Sequence, residues 1–286
     1  MRIILGSTGH IGTHLSQKLL DLQEPVMMVT HDSSKAENLK RMGADVAVVD
    51  VLDTDALHEV FKKGKKLFLL NPPADPSTDT AAEERRTLTS ILKAIEGSGL
   101  EKIVAESTYG AQPGELLGDL AVLYEMEEGL KKLNIPHSII RAAYYYSNWN
   151  FSAVSAKGEG KIYSFFPANF KLPMVAPHDI AQLAAKLLIE PVNAVGLYYC
   201  TGPEDYSPSD VASAFSETLD KPVEVVAIPQ DQWVPQLQEL GFSEKAAISM
   251  AHMTAVTLEK KYEVTAVPQR GTTTIKDYVK QLVEKV

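Results

Sequence analysis

Three glycines at the spacing Gly-x-x-Gly-x-x-Gly stand at the start of the chain. The run Gly6-Ser7-Thr8-Gly9-His10-Ile11-Gly12 follows the short strand Arg2–Leu5 and opens the amphipathic stretch Ile11–Leu22. A strand that turns straight into a helix through such a loop can hold a diphosphate. Gly6 permits the tight turn, Gly9 lets the main chain approach the phosphates, and Gly12 lets the helix lie close on its strand. The free N–H groups and the positive end of the helix then face the phosphate charge. The chemistry implied is dinucleotide binding by Gly6, Ser7, Thr8, Gly9, His10, Ile11 and Gly12. The bland alternative is a glycine turn in a flavodoxin-like fold that binds no dinucleotide.

Such a loop needs a parallel sheet to position it, and the residues that follow supply the pattern. Strands are predicted at Arg2–Leu5, Val26–Thr30, Asp45–Val49, Lys66–Leu70, Lys102–Glu106 and His137–Arg141. Helices are predicted between them at Ile11–Leu22, Ser34–Met42, Thr54–Lys62 (capped by Asp53), Thr78–Ser98 and Leu120–Leu133. This alternation means βαβ units, and short apolar strands without strict alternation suit a sheet covered on both faces. The fold class is α/β, a Rossmann-type doubly wound parallel sheet with a smaller C-terminal α+β substrate region. Residues 1–141 form the nucleotide-binding unit, completed by about 177–201, where helix 177–189 and strand Leu197–Thr201 resume the rhythm. Residues 142–176 and 202–286 form the smaller substrate or partner region. It carries helices at Ser209–Leu219, near 230–241, at 243–260 and about 274–285, and a strand at Val223–Ile228.

Composition narrows the function classes. With 286 residues, 45% hydrophobic and 23% charged, the chain is an ordinary packed protein, not a disordered, collagen-like or coiled-coil one. A net charge of −9 creates no global attraction to nucleic acid or an anionic membrane, and neither is expected as a partner. One cysteine cannot form an internal disulfide and suits a reducing compartment. The leading apolar run is too short for a signal segment, and no stretch approaches the roughly 18 apolar residues of a membrane span. A cytoplasmic protein is expected. His10 and His14 share one helix face, but no third ligand accompanies them and no metal is expected. Oligomeric state is left open.

More of the chain fits one pattern. Asp50 follows the third strand, and Leu69-Leu70-Asn71-Pro72-Pro73 follows the fourth. Glu106-Ser107-Thr108-Tyr109-Gly110-Ala111 follows the fifth. Ile139-Ile140-Arg141 precedes an aromatic turn ending Tyr146-Ser147-Asn148-Trp149. Val175-Ala176-Pro177-His178-Asp179-Ile180-Ala181 precedes a helix, and Gly271-Thr272-Thr273-Thr274-Ile275 opens the last. With the glycine spacing, these segments resemble the NmrA-like atypical short-chain dehydrogenase/reductase family, which includes bacterial type-2 NAD(P)H:quinone oxidoreductases. The resemblance spans essentially the whole chain and is loosest at the C-terminus. It implies that Asp50 and Val51 flank the adenine, that Asn71 and Pro72 pass the pyrophosphate and nicotinamide ribose, and that Ser107 lies near the cofactor. Val29 occupies the slot of the carboxylate that would bind a ribose 2′-OH. Thr30 stands where NADP-binding members usually carry arginine. That is a departure from the NADP pattern, but His31, Ser33, Ser34 and Lys35 would form a cup for a 2′-phosphate at the start of a helix, and the expectation is NADP(H) over NAD(H). Asp32 argues the other way if the loop turns it inward.

No tyrosine is followed four residues later by lysine, so the superfamily's usual proton donor pair is missing. The NmrA-like pattern often keeps Lys or His four residues before a Glu. Glu127 matches the Glu, and Leu123 fills the other slot. Ketone reduction and epimerisation are therefore disfavoured. A quinone takes hydride into its ring and its oxyanion draws a proton from water, so proximity and orientation suffice. The candidate acceptor pocket is aromatic: Tyr124, Tyr144, Tyr146, Asn148 and Trp149, with Tyr145 and Phe166 nearby. Three consecutive tyrosines on an extended segment cannot all face one way, so at least one only packs. The reading is an oxidoreductase passing hydride to a quinone or similar flat acceptor. The alternative is a non-catalytic NAD(P) redox sensor that regulates a protein partner.

Overall fold

The computed structural model describes residues 1–285. Its first half alternates β1 (Arg2–Ile4), α1 (His10–Asp21), β2 (Val26–Thr30), α2 (Ser33–Arg41), β3 (Asp45–Val48), α3 (Thr54–Phe61), β4 (Lys66–Leu69), α4 (Thr80–Ile95), β5 (Lys102–Thr108), α5 (Gly118–Lys132) and β6 (His137–Ala142). The second half holds β7 (Tyr144–Tyr145), a 3₁₀ turn at Tyr146–Trp149, α6 (Ser152–Glu159), β8 (Lys161–Ser164), β9 (Leu172–Val175), α7 (Pro177–Ile189) and β10 (Gly196–Thr201). It continues with β11 (Asp205–Tyr206), α8 (Pro208–Leu219), β12 (Glu224–Ala227), α9 (Trp233–Glu239), α10 (Glu244–Leu258), β13 (Gln269–Arg270) and α11 (Ile275–Val283).

The main sheet has eight strands in the order β13-β10-β6-β5-β4-β1-β2-β3, all parallel. It is a Rossmann-like α/β fold. Strand order reverses between β1 and β4, and ligands of such sheets bind at the carboxyl ends of the strands there. Both faces are covered. Ile11, Leu15 and Leu19 of α1 pack with Ile180, Leu183 and Leu187 of α7 on one side. Leu57 and Phe61 of α3, Leu88 and Ile91 of α4, and Val122 and Met126 of α5 cover the other. After their first residues, Arg2 and Lys66, β1 and β4 are apolar and buried, because neither face of the sheet meets water there. A third core joins Tyr146, Trp149, Leu172, Phe215 and Val279 beside the sheet. Around it lie a three-stranded sheet, β11-β9-β7, and a parallel pair, β12-β8.

Local chemistry sets several boundaries away from their predicted places. α2 begins at Ser33 because the Asp32 carboxylate, not a serine, accepts from the Ser34 N–H at 2.9 Å. α4 starts after Asp79, whose side chain accepts from the Ala82 N–H at 3.2 Å, and ends before the left-handed Gly97. Near 230–241 a 3₁₀ turn at Gln230–Gln232 precedes α9, and Pro235 falls in the first turn of α9, where it costs no helical hydrogen bond. Cys200 is a core residue of β10, and burial pushes its thiol up to about 12.

Candidate active site

The glycine loop leaves β1 with Gly6 at φ +65°, and the Gly9 N–H donates back to the Gly6 carbonyl at 3.0 Å. No side chain caps the N-terminus of α1, so its first N–H groups are left for a ligand. A Cβ on Gly12 would lie 2.2 Å from the Gly6 carbonyl oxygen, so only glycine lets α1 sit this close to the loop. Above the loop opens a cleft of about 680 Å³.

Gly6, Thr8, Gly9, His10 and Ile11 line the cleft, as do Thr30 and His31 after β2, Asp50 and Val51 after β3, and Asn71 and Pro72 after β4. Asn71 is fixed to α4, donating to the Glu84 carbonyl at 3.1 Å and accepting from the Thr87 hydroxyl at 2.9 Å. Four predicted residues serve behind the wall instead. Ser7 is buried and donates to the Val29 carbonyl at 2.8 Å, tying the loop to β2. Gly12 lies beneath the loop. Lys35 on α2 is outside the cleft lining, 3.7 Å from Asp32. Asp32 itself is turned to its capping bond, not into the cleft. Ser107 donates to Glu127 at 2.6 Å. Arg141 grips the same Glu127 with two bonds, at 2.9 and 2.7 Å, so the Ile-Ile-Arg segment locks β5, β6 and α5 together.

A second pocket of about 260 Å³ adjoins the cleft. Tyr145, Asp119 and Leu123 line both cavities. Its other walls include Tyr144, Asn148, Phe166, Leu120, Tyr109, Tyr262 and, from α10, Met250 and Met253. Tyr144 stands edge-on to Phe166 with ring centroids 5.6 Å apart, a stable aromatic geometry. The three consecutive tyrosines divide. Tyr144 faces the pocket, Tyr145 the junction, and Tyr146 the core, where its hydroxyl donates to the Thr273 carbonyl at 3.2 Å. Trp149 is also buried, its ring 6.3 Å from that of Tyr144. Tyr124 lines neither cavity. The methionines three apart on α10 escaped the sequence reading because the helix is more than 100 residues from the tyrosines. Ser243 anchors that helix beside the cleft: its N–H donates to the Pro76 carbonyl at 2.9 Å and its hydroxyl to Thr78 at 2.6 Å.

The structure also gathers carboxyl groups that spacing does not reveal. Glu106 of β5, Glu84 of α4 and Asp119 of α5 all reach the cleft wall. Glu106 is buried and accepts a hydrogen bond from the Tyr145 hydroxyl. Burial pushes its carboxyl up to about 8, with the Asp119 charge adding to the shift. Glu84 and Asp119 bond each other, which requires a shared proton, and burial raises both. A Glu84 oxygen also accepts from the Ala74 N–H at 3.1 Å. Arg85, beside Glu84 in sequence, turns outward to Glu125 at 2.9 Å. A carboxyl held neutral next to a phenol can donate a proton.

Residues 2–280 match the model of the NmrA-like family. The chain belongs to that family. Among its relatives is the NAD(P)H azoreductase of Xenophilus azovorans, 23% identical over 90% of this chain and 87% of the azoreductase. Among solved structures, the Citrobacter triphenylmethane reductase complexed with NADP(H) superposes with a TM-score of 0.80, at 19% identity and covering 98% of this chain and 99% of that one. The NADPH-dependent quinone oxidoreductase of Escherichia coli complexed with NADPH gives 0.76, at 21% identity and 99% of both chains. Among the described residues no helix is long and apolar enough to cross a membrane, and no group of three His, Cys, Asp or Glu residues is placed to hold a metal.

Proposed function

We propose that this NmrA-like protein is an NAD(P)H-dependent reductase that passes hydride to a quinone or another flat aromatic acceptor. One observation carries the reading: the nucleotide-shaped cleft at the sheet's switch point opens, past Tyr145 and Leu123, into a pocket walled by aromatic rings and methionines. The cleft fits a dinucleotide. The uncapped start of α1 offers N–H donors to a diphosphate, and the Gly12 contact leaves room for it. Asp50 and Val51 would flank the adenine, and Asn71 and Pro72 the nicotinamide ribose. The nicotinamide supplies the hydride when bound.

The chain's own residues hold and orient the partners. Tyr144 and Phe166 offer ring faces and edges to a planar acceptor, and Met250 and Met253 supply adaptable apolar contact opposite them. Residues outside the main sheet thus furnish most of the acceptor side. We propose NADP(H) in preference to NAD(H). No carboxylate stands at the end of β2 to bind a 2′-OH, Asp32 is occupied as a helix cap, and His31 lines the cleft. The named relatives that reduce azo, triphenylmethane and quinone compounds support the choice of flat acceptors.

The test is titration with NADPH and NADH, followed by nicotinamide absorbance with a panel of quinones, azo dyes and triphenylmethane dyes. Turnover that Gly9→Val abolishes is the expected result. Tight nucleotide binding with no turnover on any acceptor refutes the enzyme and leaves the redox sensor.

A further inference from the structure

The reductase described so far has no assigned proton donor. Leu123, the residue beside the junction on α5, has no proton to give. The Tyr145 hydroxyl lies at that junction: its residue lines both cavities, and its O–H bonds to Glu106 behind it on β5. We propose that Tyr145 is the catalytic acid that protonates the reduced acceptor and that Glu106, acting through it, replaces the proton; this rests on the reductase reading above.

The balance is simple. A quinone that has gained hydride is a hydroquinone monoanion. The Tyr145 O–H, which donates to Glu106 at rest, turns to the acceptor oxygen so that protonated Glu106 donates to the phenol, and its O–H bond breaks as one forms on the acceptor. The Glu106 carboxyl O–H breaks as the Tyr145 O–H re-forms, and the Glu106 carboxylate then regains a proton from water. One hydride and one solvent proton are consumed for each acceptor reduced. The two transfers must be concerted, because a phenolate left in this buried setting is strongly disfavoured. A protonated Glu106 is therefore required.

The surroundings of Glu106 favour that state. The titratable groups facing it are Tyr145 on β7, Asp119 on α5 and Cys200 on β10, with Glu84 joined to Asp119. Burial is the largest influence and disfavours the charged carboxylate, the Asp119 charge adds to it, and together they outweigh the hydrogen bond from the Tyr145 hydroxyl, which favours ionisation. Asp119 also lines both cavities, and Glu84 and Glu106 line the cleft beside it.

The test uses the full chain with NADPH and 1,4-naphthoquinone between pH 6 and 9.5, in H₂O and D₂O. Wild-type kcat is expected to fall as pH rises through the range near 8, with a solvent isotope effect above about 2. Tyr145→Phe and Glu106→Gln are expected to bind NADPH as the wild type does, followed by fluorescence, yet to lower kcat by about 10²-fold or more. Both lose the alkaline limb and the isotope effect. Glu106→Gln keeps a hydrogen-bonding side chain but cannot hand over a proton, so a purely structural glutamate would leave its profile unchanged. Variants that turn over at the wild-type rate overturn the acid and leave the reductase standing. A wild type that binds NADPH but reduces no acceptor overturns both. Should either variant fail to fold, a wild-type profile without limb or isotope effect overturns the proposal alone.

Discussion

Replacing Glu106 by glutamine isolates one buried ionisation and asks whether the fold keeps its proton. In the unfolded chain this carboxyl titrates near its ordinary value of 4.5; in the folded protein burial pushes it up to about 8. Below pH 4.5 both states are protonated and the group makes no difference to pH dependence. Between pH 4.5 and about 8 the unfolded chain releases the proton while the folded chain retains it. Stability from this group is therefore lost as pH rises, at about 1.4 kcal/mol per pH unit. The loss reaches about 5 kcal/mol near pH 8 and then levels. Glutamine has the same shape and no proton to release. Urea unfolding of both proteins at pH 5, 6, 7 and 8 gives the difference directly. Glu106→Gln is expected to gain on the wild type at every step upward in pH, whatever constant offset it carries from its altered bond to Tyr145. A difference that stays flat, or that moves toward the wild type as pH rises, refutes a neutral Glu106.

Three further substitutions test separate parts of the structure. Gly12→Ala places a methyl against main chain that cannot move aside, 2.2 Å from the Gly6 oxygen and 2.7 Å from the Ser7 Cα; thermal melting should show a loss of about 1–3 kcal/mol or more, with weakened NADPH binding. Arg141→Met leaves the Glu127 carboxylate buried without its two-bond partner; chemical denaturation should show a cost of about 3–5 kcal/mol. His31→Glu sets a negative charge in the cleft after β2, and fluorescence titration should find NADPH weakened at least tenfold with NADH little changed.

The parts legible in the sequence are those that neighbouring residues determine. The glycine turn between the first strand and helix, the βα rhythm and the Asp53 cap depend on residues a few positions apart, and the structure has them where the sequence places them. Sites assembled across the sheet left no such trace. Glu106, Asp119 and Tyr145 come from three elements, and nothing in their separate surroundings announces that they converge. Tyr-x-x-x-Lys is a pattern of one helix face, whereas these carboxyls reach the cleft from a strand and two helices. Tyr146 and Trp149 looked like pocket residues for the opposite reason: an aromatic turn is recognisable in sequence, but which ring faces inward is decided by the third core that receives it. Lys35 stands in the first turn of α2, 3.7 Å from the capping Asp32 and outside the lining of the cleft, an arrangement that the spacing of charges in the sequence does not reveal.

α10 walls one side of the acceptor pocket, and its start is fastened to the loop after β4 by Ser243 and by the Lys245–Asp79 ion pair at 2.8 Å. Glycine loop, sheet edge and carboxyl cluster all lie on other elements. Substitutions along this one helix can therefore reshape one wall of the pocket, and with it what the pocket admits, without disturbing how the nucleotide is held.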